Sequence, residues 1–165
     1  MSKREAMQPN SQNDVLLFIA RHAEAKPKGF SVGRPLSDRG IVEAKLLGEN
    51  LKKDGFQIET ILHSGVMRSE QTAEIVQNEI SAKNFMLNQK LSQGFSENAG
   101  YWLTFIECLQ KTTLIIGHNP TILEILQTAN PSLAFEFTTG SCICIKKNPQ
   151  NLTFTEIWSY KIPKG

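Results

Sequence analysis

Six apolar residues run without a break from Val15 to Ala20 and deliver Arg21-His22-Ala23-Glu24. The run has strand length and no polar alternation. That is the signature of a strand covered on both faces, as at the centre of an α/β sheet. In open α/β sheets ligands bind just beyond the carboxyl ends of the strands. Arg21 and His22 stand at such an end, so the remaining chain has to be searched for residues that meet them there.

The same logic finds two more junctions. Ile58 to Leu62 is a short strand that hands over to His63-Ser64-Gly65-Val66-Met67-Arg68. From about Val66 the spacing turns helical, with Ser69, Ala73, Val76 and Ile80 on one face, and Arg68 falls in the first helical turn. Thr112 to Gly117 is a third strand and delivers His118-Asn119-Pro120. Asn119 is expected to cap the next helix and Pro120 to be its first residue.

Between these junctions, Lys26 to Arg34 reads as a loop. Ser37 caps a helix carrying Ile41, Ala44, Leu47, Gly48 and Leu51 on one stripe and stopping at Gly55. Asn84 to Leu87 is a weak strand, Leu91 to Gly100 a loop, and Tyr101 to Leu109 a helix. Phe135 to Ile145 and Leu152 to Trp158 are expected to pair antiparallel across the turn Asn148 to Asn151. Strand and helix thus alternate three times before a closing hairpin. The pattern predicts an α/β fold with a mixed, mainly parallel sheet and helices on both faces.

A chain of 165 residues is expected to form one domain, here residues 14–165, preceded by a flexible tail over residues 1–13. That tail has no apolar core of a secretory signal, and no apolar run approaches a membrane span. The 18 basic and 16 acidic residues nearly balance, which argues against nucleic acid or an anionic membrane as main partner. Cys108, Cys142 and Cys144 read as small buried hydrophobes of a reducing compartment, and the expected location is the cytoplasm. No histidine or second cysteine pair near them completes a zinc site.

Were the three strands parallel and adjacent, Arg21, His22, Arg68 and His118 would converge at one sheet edge. Two guanidinium groups and two imidazoles suit a dianion, and arginine's planar fork matches phosphate oxygens. A neutral imidazole can attack phosphorus, and nearby arginines hold it unprotonated. His118 could donate a hydrogen bond to a phosphoryl oxygen. Taken singly, each of the four is more often an ordinary loop histidine or surface arginine; their repetition at strand ends carries the reading.

These segments resemble the histidine phosphatase (phosphoglycerate mutase-like) superfamily. Arg21-His22-Ala23 is similar to its Arg-His-Gly motif, with alanine for glycine. Ser64-Gly65-Val66-Met67-Arg68-Ser69-Glu70-Gln71-Thr72 is similar to Ser-Pro-x-x-Arg-x-x-Gln-Thr, with Gly65 for proline. Gly117-His118-Asn119-Pro120 matches Gly-His-Asn-Pro. Arg34-Pro35-Leu36-Ser37-Asp38-Arg39-Gly40 resembles a segment of the small phosphohistidine phosphatases (the SixA type). The resemblance runs from about Val15 to the end of the chain and implies a three-layer α/β/α sandwich. It also implies that His22 is the nucleophile that becomes phosphorylated, that Arg21, Arg68 and His118 hold the phosphoryl group, and that no metal or other cofactor takes part. Arg34 either extends the positive rim or anchors its loop. His63 is expected at the surface or behind the pocket.

Larger members supply a carboxylic acid between the second and third motifs as proton donor. Asn88 to Gly94 holds none, and Glu97 reads as a solvated glutamate. A phosphomonoester leaves poorly without a proton donor, whereas imidazole protonated on its second nitrogen leaves a phosphoramidate as a neutral molecule. The expected substrate is therefore phosphohistidine in a partner protein, met by a monomeric enzyme. The alternatives are a small-molecule phosphomonoesterase acting on a sugar or nucleotide phosphate, with Glu97 or water as proton donor, and a non-catalytic phosphate-binding module.

Overall fold

Leu16–Arg21 forms β1, and its residues Leu16 to Ala20 have no exposed surface at all. Such a strand needs apolar cover on both sides, and the rest of the chain supplies it. The computed structural model describes residues 14–29, 33–151 and 153–163. The tail expected over residues 1–13 lies outside the described residues, as do positions 30–32 of the early loop and Leu152.

From β1 the chain runs through α1 (Asp38–Lys53), β2 (Thr60–His63), α2 (Met67–Ile80), β3 (Asn84–Leu87), α3 (Ala99–Glu107), β4 (Thr113–Gly117), α4 (Thr121–Ala129), β5 (Cys142–Lys147) and β6 (Phe154–Tyr160). The strands form one six-stranded sheet in the order β3-β2-β4-β1-β5-β6. β3, β2, β4 and β1 are parallel, whereas β5 and β6 are added antiparallel.

Alternate residues of β1 feed two separate cores. Leu16, Phe18 and Ala20 pack with Leu47 and Leu51 of α1, Val76 of α2 and Trp158 of β6. Leu17 and Ile19 pack with Trp102 and Ile106 of α3 and with Ile122, Ile125 and Leu126 of α4. Each fully buried aliphatic side chain contributes about 1.5–3 kcal/mol, so the helices are held on both faces by the sheet's two-sided apolar pattern. The result is a three-layer α/β/α sandwich with a mixed, mainly parallel sheet. Among the described residues no helix is long and apolar enough to cross a membrane.

The local rules hold at α1, where the Ser37 hydroxyl accepts from the Gly40 N–H at 3.0 Å. Gly40 is required as well, since a Cβ there would collide with the carbonyl of Glu24. The four β3 residues lie at the sheet edge and are mostly exposed.

Several expectations are corrected. The strand expected from Phe135 begins only at Cys142, because the chain turns at Gly140, with φ +72°. The Gly140 N–H there bonds to the carbonyls of Arg21 and His22. Leu91 to Gly100 is not a plain loop: the 3-10 turn Gln89–Ser92 runs into it, a second, Phe95–Asn98, follows, and α3 already begins at Ala99. Cys108 is exposed rather than buried, since it closes α3 at the surface, whereas Cys142 and Cys144 are buried on one face as expected. Ile41, placed on the buried stripe of α1, is 38% exposed at the edge of that stripe.

Candidate functional site

β2, β4 and β1 are adjacent and parallel, so their carboxyl ends lie side by side. Arg21 pairs with Gly117 in the β1–β4 register, which puts His22 next to His118. The two imidazole centroids are 5.0 Å apart. Arg68, in the first turn of α2, donates its Nε–H to Nε2 of His22 at 3.3 Å. The sequence separation between these two is 46 residues, closed entirely by strand order.

The hydrogen bonds of His22 identify its tautomer. Nδ1 lies 2.7 Å from the carbonyl oxygen of Ala23, which can only accept. Nδ1 therefore carries the proton, and Nε2 presents a lone pair to Arg68. Ala23 is itself held, because its N–H donates to the Thr72 hydroxyl at 3.0 Å and that hydroxyl donates to the Arg68 carbonyl at 2.7 Å. Alanine in place of the motif glycine leaves this arrangement intact. Gln71 accepts from the Leu36 N–H at 2.8 Å, tying the loop after β1 to α2.

His22 is 7% exposed. Burial is the main force pushing its pKa down, to about 3. The bond to Ala23 opposes that shift, and the charges of His118, Arg68 and Arg21 add to it. His118 is pushed down to about 4, by burial first and then by Arg68 and Arg21. Both rings are thus neutral at physiological pH. The Arg68 guanidinium is also lowered, by burial and then by Arg34 and Arg21.

Arg21 donates Nη1–H to the Phe137 carbonyl at 3.2 Å, while its buried Nε has no partner among the described residues. Asn119 donates to the same carbonyl at 3.1 Å instead of capping α4. Pro120, joined through a cis peptide bond, takes the cap position, and α4 starts at Thr121. Arg34 anchors its loop, its Nε donating to the Lys26 carbonyl at 2.9 Å, and its charge helps lower the pKa of Arg68.

A cleft of about 470 Å³ opens beside the cluster, lined among others by Arg68, Gln93, His118, Asn119 and Glu124. His22 sits beside Arg68 and His118, both of which line it. Glu97 is exposed and is not among the lining residues; the carboxylate in the cleft is that of Glu124, half-buried in the first turn of α4. Sequence reasoning passed over Glu124, whose only signal was an acidic residue within an otherwise apolar helix. It also passed over the Phe137 carbonyl, which has no side-chain signature.

At the β2–α2 turn His63, expected at the surface or behind the pocket, is 4% exposed and so does not lie at the surface. Its Nδ1 accepts from the Gly65 N–H at 3.1 Å, and burial lowers its pKa despite Glu70 and Glu74. Gly65 has φ +85°, a conformation closed to the proline of the family motif. Among the described residues no group of three or more His, Cys, Asp or Glu side chains could hold a metal ion.

Comparison with known proteins bears on the family and the fold. The family model described as histidine phosphatase superfamily (branch 1) matches residues 17–126. A phosphoglycerate mutase from Schizosaccharomyces pombe is 30% identical over 87 residues, 48% of this chain and 41% of that enzyme, so the match spans less than half the relative's length. Among solved structures, the protein histidine phosphatase SixA complexed with tungstate superposes with a TM-score of 0.75. It is 24% identical, with 88% of this chain and 96% of that one covered. Phosphoglycerate mutase from Plasmodium falciparum superposes with a TM-score of 0.66 at 16% identity, covering 88% of this chain and 89% of that one. These structural likenesses show a shared fold.

Proposed function

The chain belongs to the histidine phosphatase superfamily, branch 1, and from that premise we propose that it is a phosphatase acting through a phosphohistidine on His22, with phosphohistidine in a partner protein as substrate. The observation that carries the reading is the tautomer of His22. Its Nδ1–H is committed to the Ala23 carbonyl, so Nε2 keeps a lone pair at the centre of a cationic cluster. Attack by Nε2 on phosphorus forms the N–P bond as the leaving group departs. Arg21 and Arg68 neutralise the equatorial oxygens and His118 helps orient them, which is most of what phosphoryl transfer requires of a protein. Water then attacks the phosphoenzyme, releasing phosphate and restoring the imidazole.

The preference for a P–N bond is supported by the segment after β3. Gln93 and its neighbours line the cleft, and this segment brings no carboxylate to it. A phosphohistidine ring protonated on its far nitrogen leaves as a neutral imidazole and needs no acid.

One observation favours a second reading, hydrolysis of a small phosphomonoester. Glu124 reaches the cleft from α4 and could protonate an alkoxide. Turnover of a phosphoramidate against that of a simple sugar phosphate separates the two. Faster turnover of the phosphoramidate is expected. A strong preference for the sugar phosphate rejects the P–N substrate.

A further inference from the structure

We propose that Ser64 is a positioning residue that decides which nitrogen of His118 carries the proton, and so keeps the uncharged ring a hydrogen-bond donor towards the phosphoryl group. The donor role rests on the phosphatase reading; the tautomer does not.

Ser64 follows the last residue of β2 and is 3% exposed. Its backbone N–H donates to the Ser69 hydroxyl at 3.0 Å, and Ser69 donates to the Ile116 carbonyl at 2.8 Å. This pins Ser64 between the ends of β2 and β4. The Ser64 Oγ lies 2.7 Å from Nε2 of His118 and accepts the Val66 N–H at 3.2 Å.

A hydroxyl has one proton to give and two lone pairs to receive with. Val66 occupies one lone pair. Nε2 of His118 is the acceptor the structure offers for the hydroxyl proton. Were Nε2 protonated, both groups would present a proton to the same short contact, or the hydroxyl proton would turn away with no other acceptor among the hydrogen bonds of the described residues. Leaving a buried hydroxyl proton unpaired is unfavourable. The hydroxyl therefore donates to Nε2, and the ring proton sits on Nδ1.

That choice matters because the ring is neutral. An imidazolium would donate from both nitrogens whatever its neighbour, but burial, Arg68 and Arg21 hold His118 uncharged. A neutral ring with its proton on Nε2 would turn a lone pair towards a phosphoryl oxygen. With the proton on Nδ1 it turns an N–H instead. Nδ1 is buried and has no partner among the described residues, in a ring 5.0 Å from that of His22. A phosphoryl oxygen on its way to His22 would supply the missing acceptor.

The test is the imidazole nitrogen spectrum of the wild-type protein, labelled with nitrogen-15 and recorded near neutral pH. His118 is expected to show a protonated Nδ1 and an unprotonated Nε2; the reverse overturns the proposal. Ser64→Ala is expected to move the ring towards the Nε2-protonated form and to slow formation of acid-labile phosphoenzyme about tenfold or more. Ser64→Thr, which keeps the hydroxyl, should restore both. An unchanged tautomer and rate in Ser64→Ala contradict the proposal, and the wild-type spectrum decides even if that variant does not fold. A correct tautomer with no phosphoenzyme in the wild type leaves Ser64's hold on the ring standing and overturns the phosphatase reading instead.

Discussion

The Nε–H of Arg68 donates into the Nε2 lone pair of His22 across 3.3 Å, so in the free protein the guanidinium covers the atom assigned to attack phosphorus. An incoming phosphoryl group offers Arg68 stronger, charged acceptors. On the proposed reaction the arginine would then transfer its bond to the substrate and uncover the nucleophile in the same movement.

This double role predicts opposite responses to one substitution. In Arg68→Ala, carbethoxylation of His22 should become faster, because the lone pair is no longer covered. Formation of the phosphoenzyme should become slower, by a hundredfold or more, corresponding to about 3 kcal/mol of lost charge stabilisation. Both rates can be followed on one preparation. A parallel fall in the two would mean that Arg68 only supports the fold.

The depressed pKa values of the two histidines link stability to pH. In the folded protein His22 and His118 titrate near 3 and near 4, against 6.5 for a free histidine. Below about pH 6.5 the unfolded chain takes up protons that the folded protein refuses. Their contribution is therefore intact above that pH and is lost as the pH falls through 6.5 towards 3. The slope approaches about 1.4 kcal/mol per pH unit for each excess proton. Denaturant melts between pH 7.5 and 4.5 should show the loss, and His22→Gln should reduce its slope. An identical slope in wild type and variant would contradict the assignment.

Restoring the residue of the family motif at position 65 should damage this protein. Gly65 has φ +85°, whereas proline requires about −65°. Gly65→Pro would also remove the N–H that donates to His63 at 3.1 Å. A loss of roughly 3 kcal/mol is expected, seen as a lower Tm, together with weaker phosphoenzyme formation because Ser64 and Arg68 flank the turn. An unchanged Tm would show that the turn has room for another conformation.

Glu124 separates the substrate readings at the level of one residue. Glu124→Gln keeps the shape of the cleft and removes the ionisable proton. Turnover of a sugar phosphate should then fall more than turnover of a phosphoramidate, whose leaving group needs no acid. Equal losses on both substrates would make Glu124 a binding residue common to the two.

The sheet and the edge where these residues gather were legible because each relevant strand is a short stretch carrying apolar residues and followed at once by a polar residue of defined chemistry. Val15 to Ala20, Ile58 to Leu62 and Thr112 to Gly117 all carry that mark, and parallel order alone then brings Arg21, His22, Arg68 and His118 together. What escaped the sequence depends on contacts that leave no periodic trace. Ser64 and His118 are 54 residues apart. The carbonyl of Phe137, which receives both Arg21 and Asn119, is a backbone atom in a segment apolar enough to read as strand. Asn119 followed by proline reads locally as a helix cap, yet its side chain is taken by that carbonyl, so the tertiary bond displaced the local one.

The most direct test of His22 as the nucleophile is to mix the protein briefly with a phosphoramidate, quench in alkali and locate any phosphate on the chain. Acid-labile phosphate on His22, absent from His22→Ala, is the predicted result. Turnover that proceeds with His22 unlabelled, or that survives in His22→Ala, would contradict it.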